Sequence, residues 1–128
     1  MVNPPTFTAD TSIIIDLLRG YAPAHTWANQ GHFGGISRIA WFEVVQGTQS
    51  KAEQKLALDT MQRFELIEVA HEDMLVGANL LMNWRPKLRI DAFDCLLCAT
   101  VMRLKLPFYT RNLKHFSPIL GTLASSPY

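Results

Sequence analysis

Short apolar runs, each suited only to a strand, recur along this chain between longer stretches with helical spacing, and this alternation restricts the fold more than any other feature. Residues 6–9 alternate as a short strand. Asp10-Thr11-Ser12 then offers N-caps to a helix with Ile13, Ile14, Leu17 and Leu18 on one face and Gly20 as its stop. A short helix is predicted over 24–30 and a strand over 33–37. Ser37 caps a helix over 38–46 that Gly47 ends. Further along, the pattern predicts a helix over 51–64, a strand over 66–69, and a helix over 71–84 closed by Pro86. A helix over 91–105 follows, then a strand over 108–110, a turn of helix over 112–116 and a last strand over 122–124. Strand–helix alternation of this kind predicts an α/β fold, a mainly parallel sheet with helices on both faces, as one domain over residues 1–128.

At 128 residues, 48% hydrophobic and 18% charged, the chain can bury a sizeable core and does not have the composition of a disordered segment. The apolar run 13–18 is broken by Asp16 and is short of the roughly 20 residues of a membrane span, and no secretory signal pattern precedes or follows it. Cys95 and Cys98 cannot form a disulfide framework, and their Leu- and Ala-rich surroundings mark them as buried small hydrophobes rather than a redox pair. A cytoplasmic protein without a membrane partner is the expectation. The four histidines show no zinc-ligand spacing, and no nucleophilic-serine or P-loop motif is present. The apolar stripe Met74, Leu75, Ala78, Leu81 and Met82 is expected to face the core.

Chemistry is concentrated in the acids. In a parallel α/β sheet the ligand crevice lies outside the carboxyl ends of the strands, where Asp10 and Asn112 would project. Asp10 alone is equally well explained as a helix cap, and Asp91 is read as one, with Asp94 three residues on. Glu43, within Ile39-Ala40-Trp41-Phe42-Glu43-Val44-Val45, and Asp94, within Ala92-Phe93-Asp94-Cys95-Leu96, are acids embedded in apolar helices. A buried carboxylate requires a cation, a hydrogen-bond donor or a proton. If the three share a pocket, the simplest agent offsetting their repulsion is a hard divalent cation, Mg²⁺ or Mn²⁺, which would also support phosphodiester hydrolysis. The charge is lopsided: nine of the 11 acids precede residue 85, whereas seven of the 12 basic residues lie between 85 and 114. Arg85, Lys87, Arg89, Arg111 and Lys114 are therefore candidate contacts to a polyanion.

Four segments, taken in order, also resemble a known family: 10–20 (DTSIIIDLLRG), 37–47 (SRIAWFEVVQG), 94–100 (DCLLCAT) and 109–116 (YTRNLKHF). They are similar to PIN-domain ribonucleases, specifically the VapC-like toxins of type II toxin–antitoxin pairs. The resemblance implies a PIN-like three-layer α/β/α sandwich with a mainly parallel four- to five-stranded sheet. It also implies Mg²⁺- or Mn²⁺-dependent endonucleolysis of RNA and inhibition by a cognate antitoxin. Asp10, Glu43 and Asp94 fall on the family's three core acids, as catalytic and metal-binding positions. Asn112, expected as a fourth catalytic position, falls where many members have an acid, a departure that favours one firmly held ion over two. Thr110, Arg111, Lys114 and Arg89 are the expected substrate contacts. Asp16 ranks as peripheral. Trp41, Phe42, Met74, Leu75 and Met82 exceed what one small sheet needs, so some are expected to serve a homodimer and a groove for an amphipathic antitoxin helix that brings a basic side chain to the carboxylates. The alternative is a PIN-like module that binds RNA or protein without cleaving.

Overall fold

The computed structural model describes residues 4–128. Its elements are β1 (Thr8–Ala9), α1 (Thr11–Leu18), α2 (Ala22–Ala28), β2 (Gly35–Ser37), α3 (Arg38–Gln46), α4 (Lys51–Met61), β3 (Glu65–Ile67), α5 (His71–Leu88), α6 (Ala92–Leu104), β4 (Phe108–Tyr109), α7 (Leu113–Leu120) and β5 (Ala124–Ser125). All strand pairings are parallel, in the order β3-β2-β1-β4-β5. The chain runs outward from β1 through β2 to β3, then returns to pair β4 on the other side of β1. Strand order therefore reverses at β1, and Asp10 and Asn112 follow the carboxyl ends of β1 and β4, the edge where such a reversal is expected to receive a ligand.

Two apolar cores flank the sheet, giving the three layers expected of a PIN-like fold. One gathers Ala9, Ile13, Ile14, Ile36, Ala40, Val44, Ala57 and Met61 from β1, β2, α1, α3 and α4. The other gathers Leu97, Cys98, Val101, Phe108, Phe116 and Leu120 from α6, β4 and α7. The helices start where polar caps meet apolar runs. Ser37 Oγ accepts from the backbone N–H of Ile39 and Ala40, Ser50 Oγ from that of Glu53, and Asp91 Oδ1 from that of Asp94. Gly34 is required by packing, because a β-carbon there would run into the Phe7 ring.

Several expectations are corrected. Helix α2 opens before Pro23, which occupies its first turn, where the missing N–H costs nothing. Pro86 does not close α5, which continues to Leu88 and ends at Arg89 in the left-handed region (φ 50°). The strands are shorter than the sequence pattern predicts, and β3 begins earlier, at Glu65. The apolar stripe of α5 is not core: Met74, Leu75 and Met82 are 53%, 61% and 74% exposed. An adjoining face of the helix, with Asp73 and Gly77, is the one buried against α6. Gly77 brings the backbones close, since a β-carbon there would already touch Leu96. Helix α3 is likewise not buried all round, because Phe42 is exposed and Glu43 only half-buried. Among the described residues no helix is long and apolar enough to cross a membrane.

Candidate active site

Asp10 leaves the end of β1 and caps α1 in the same gesture. Its backbone N–H donates to the Tyr109 carbonyl of β4, and its Oδ1 accepts from the Thr11 N–H at 2.8 Å. Oδ2 accepts from two hydroxyls, Ser12 at 3.0 Å and Thr110 at 2.8 Å. Those hydroxyls hold the loop after β4 in turn: Thr110 Oγ1 accepts the Asn112 N–H, and Ser12 Oγ accepts the Arg111 N–H. Cap and acid are thus one residue, fixed by donors from both sides of the strand-order reversal. Asp10 is 6% exposed, and burial pushes its carboxyl above the ordinary value against the hydrogen bonds of Thr110, Ser12 and Thr11, while the charge of Asp94 pushes the same way.

Glu43, on α3, accepts from the Thr11 hydroxyl at 2.9 Å through Oε1. Burial raises its carboxyl, the Thr11 hydrogen bond opposes this, and the charges of Asp94, Asp10 and Asp91 add to the rise. Asp94, in the first turn of α6, pairs through Oδ2 with Nε2 of His115 at 2.8 Å. Burial raises Asp94 too, against the His115 hydrogen bond and with the charge of Asp91 adding to the rise. The sequence-predicted acids Asp10, Glu43 and Asp94 therefore occupy one electrostatic neighbourhood. No Lys or Arg charge is among the causes that shift any of the three. They stand as a neighbourhood rather than a cage: among the described residues no group of three or more His, Cys, Asp or Glu side chains is arranged to hold a metal ion as it stands.

The remaining predicted positions divide. Thr110 is fully buried and spends its hydroxyl on Asp10, so it positions that carboxylate and does not face a substrate. Asn112 adjoins the site through its backbone N–H, with its exposed side chain hydrogen-bonded to none of the described residues. Arg111 is clamped: its guanidinium lies over the rings of Tyr21 and Tyr128, 5.2 and 4.8 Å from their centroids, and reaches Asp16 Oδ2 at 3.3 Å. Tyr128 donates its phenol to the same Asp16 oxygen at 2.7 Å, which gives that peripheral acid a structural task. Lys114 and Arg89 are exposed and form no ion pair among the described residues. Cys95 and Cys98 are buried and free, and burial pushes both thiols up, away from redox reactivity. His115 and the hydroxyls of Thr11 and Ser12 are the site groups that sequence reasoning missed. A pattern search for metal spacing rejects His115, whose partner lies 21 residues away.

No family profile and no curated protein matches the chain. Solved structures do. A chain of a toxin–antitoxin complex from Klebsiella pneumoniae superposes with a TM-score of 0.76 at 26% identity, covering 95% of this chain and 98% of that one. A chain of VapBC2 from Rickettsia felis, bound to a DNA fragment from its promoter, gives 0.77 at 19% identity over 94% and 97%. One from DNA-bound VapBC of Salmonella typhimurium gives 0.78 at 16% identity over 98% and 100%. The five-stranded parallel sheet with helices on both faces is a PIN-like fold, and the resemblance to VapC-like toxins carried by the four sequence segments extends to the fold of nearly the whole chain.

Proposed function

We propose that this protein is a metal-dependent endoribonuclease that hydrolyses RNA phosphodiester bonds, and that it is the toxin of a type II toxin–antitoxin pair. The observation that carries the nuclease reading is the group Asp10, Glu43 and Asp94 at the strand-order reversal. Each carboxyl is pushed up by burial and by the charge of another acid; no Lys or Arg charge offsets this, and His115 opposes it at Asp94. Their oxygen-only chemistry suits a hard cation of the Mg²⁺ or Mn²⁺ class. Such an ion needs only one or two protein carboxylates and keeps water in its other positions, so the absence of a closed three-acid cage is compatible with it. Asp94 and Glu43 are the more accessible ligands. Asp10, whose oxygens already accept three hydrogen bonds, would contribute a remaining lone pair. A bound ion of this kind supplies an activated water and stabilises charge on the leaving oxygen.

The chain's own residues perform the rest. Thr110, Ser12 and Thr11 orient Asp10, and Thr11 also holds Glu43, so one three-residue turn fixes two of the acids. His115 orients Asp94. Lys114 and Arg89, exposed and unpaired among the described residues, are free to meet RNA phosphates, whereas Arg111 is held back by Tyr21, Tyr128 and Asp16. The toxin reading is supported by solved structures of similar fold that are toxin–antitoxin complexes. It brings with it a cognate antitoxin and a homodimer, for which the exposed Met74, Leu75 and Met82 provide apolar surface.

The second reading, a module that binds without cutting, is favoured by the open spacing of the acids and by the amide at Asn112. Induced expression in a bacterial host, wild type beside Glu43→Gln, separates the two. Growth arrest with fragmentation of cellular RNA by the wild type alone is the expected result. Equal growth and intact RNA in both cultures favour the binding module.

A further inference from the structure

Beside Glu43, and not lined by Asp10, lies a cleft of about 360 Å³ formed by Glu43, Gln46, Gly47, Asp91 and Phe93. We infer that it is a nucleobase subsite, in which an unpaired guanine of the substrate strand stacks on Phe93 and pairs with the carboxylate of Asp91; the inference rests on the ribonuclease reading above.

Four observations point the same way. The first is Phe93 itself, in the first turn of α6 beside Asp94, 45% exposed and stacked on no other aromatic ring among the described residues. A free ring at the edge of a site for single-stranded nucleic acid is the usual platform for a base. The second is the sign of the local charge. Asp91 is close enough to raise the carboxyls of both Glu43 and Asp94, so the cleft is negative and repels a phosphate. What it attracts is a ring edge rich in N–H donors. The third is the state of Asp91: Oδ1 accepts from the Asp94 N–H at 2.9 Å and keeps a second lone pair, and Oδ2 accepts no hydrogen bond among the described residues. The fourth is size, since about 360 Å³ sits at the small end of the roughly 300–1,000 Å³ of small-molecule sites and suits one base rather than two.

Base chemistry then selects the ligand. Guanine presents N1–H and N2–H₂ side by side, matching the two oxygens of a carboxylate, and its O6 can accept from the Gln46 amide. Uracil offers a single N–H between two carbonyl oxygens that the acids repel. Inosine keeps N1–H and O6 but lacks the amino group.

The test uses three labelled hexaribonucleotides, identical uridine tracts with guanine, inosine or uracil at one position. Binding is followed by fluorescence anisotropy at low salt, with EDTA or with Ca²⁺ in place of Mg²⁺. The wild type is expected to bind the guanine strand roughly tenfold tighter than the inosine strand, and more so relative to uracil. Phe93→Ala should weaken guanine binding by roughly 5- to 150-fold, the stacking of one base, while Phe93→Trp retains it. Asp91→Asn keeps the helix cap, since Asn caps as well as Asp, yet should level guanine with inosine. Melting temperatures of the variants establish that each is folded. Equal affinity for the three strands, no measurable affinity for any, or binding indifferent to Phe93→Ala and Asp91→Asn overturns the subsite. Cleavage is mapped separately: cutting without guanine preference removes the subsite and leaves the nuclease, and guanine-selective binding without cutting does the reverse.

Discussion

At the scale of single residues the site is a compromise between stability and charge. Asp10, Glu43 and Asp94 all have raised carboxyl pKa values, chiefly from burial, against the hydrogen bonds each accepts and with a smaller push from neighbouring acids, Asp94 on Asp10 and Glu43, and Asp91 on Asp94. In the window between the ordinary value and the raised one, the folded chain binds more protons than the unfolded chain, so stability falls as pH rises through it. Glu43→Gln is therefore expected to raise the melting temperature of the cation-free protein near neutral pH while abolishing RNA cleavage, as calorimetry beside an RNA assay will read. Thr110→Val removes the buried donor to Asp10 and the acceptor of the Asn112 N–H, and should cost about 1–3 kcal/mol in urea unfolding. The three acids were legible in the sequence because each either ends a strand or interrupts an apolar helix. Their partners were not, since Thr110 lies 100 residues from Asp10, Thr11 lies 32 from Glu43 and His115 lies 21 from Asp94, and only the sheet order brings them together.

Among the elements, the pair α5 and α6 shows why periodicity alone misassigned a face. Helix α5 is apolar on its exposed side, and the side that packs on α6 carries Asp73, 1% exposed, together with a glycine. Asp73 accepts from the Thr100 hydroxyl and the Ala70 N–H, both at 2.9 Å, and from the Arg103 guanidinium at 3.0 and 3.1 Å. Burial alone would raise its carboxyl, but Arg103, Ala70 and Thr100 together hold it below the ordinary value. Its contribution is present above the ordinary carboxylate value and is lost as pH falls through the lowered one. Asp73→Ala leaves Arg103 without its closest partner, and the expected cost in denaturant unfolding is about 2–4 kcal/mol, toward the low side of a fully buried pair because Arg103 remains partly in water. Helix starts were legible from Asp10, Ser37 and Asp91, whose side chains all cap as their spacing predicts. Strand lengths and the passage of α5 through Pro86 were not, because neighbouring strands and the packing of α6 decide them rather than local preference.

Over the whole molecule, nine of the 11 acids precede residue 85, whereas seven of the 12 basic residues lie from Arg85 to Lys114. RNA binding is expected to weaken as salt rises, and Lys114→Glu with Arg89→Glu should flatten the salt slope by up to about two units. The exposed apolar side of α5 belongs to the same scale. If it forms the proposed homodimer, Leu75→Glu with Met82→Glu will give a folded monomer by light scattering where the wild type gives a dimer.

The proposed activity requires the three acids to serve one cation in RNA cleavage. The direct measurement is RNA cleavage by protein purified free of host nuclease, wild type beside Asp94→Asn, with EDTA and after return of Mg²⁺ or Mn²⁺. Cleavage by the wild type that EDTA abolishes and either ion restores, and none by Asp94→Asn under any condition, is the expected result. Undiminished cleavage by Asp94→Asn, or wild-type cleavage that survives EDTA, would contradict it.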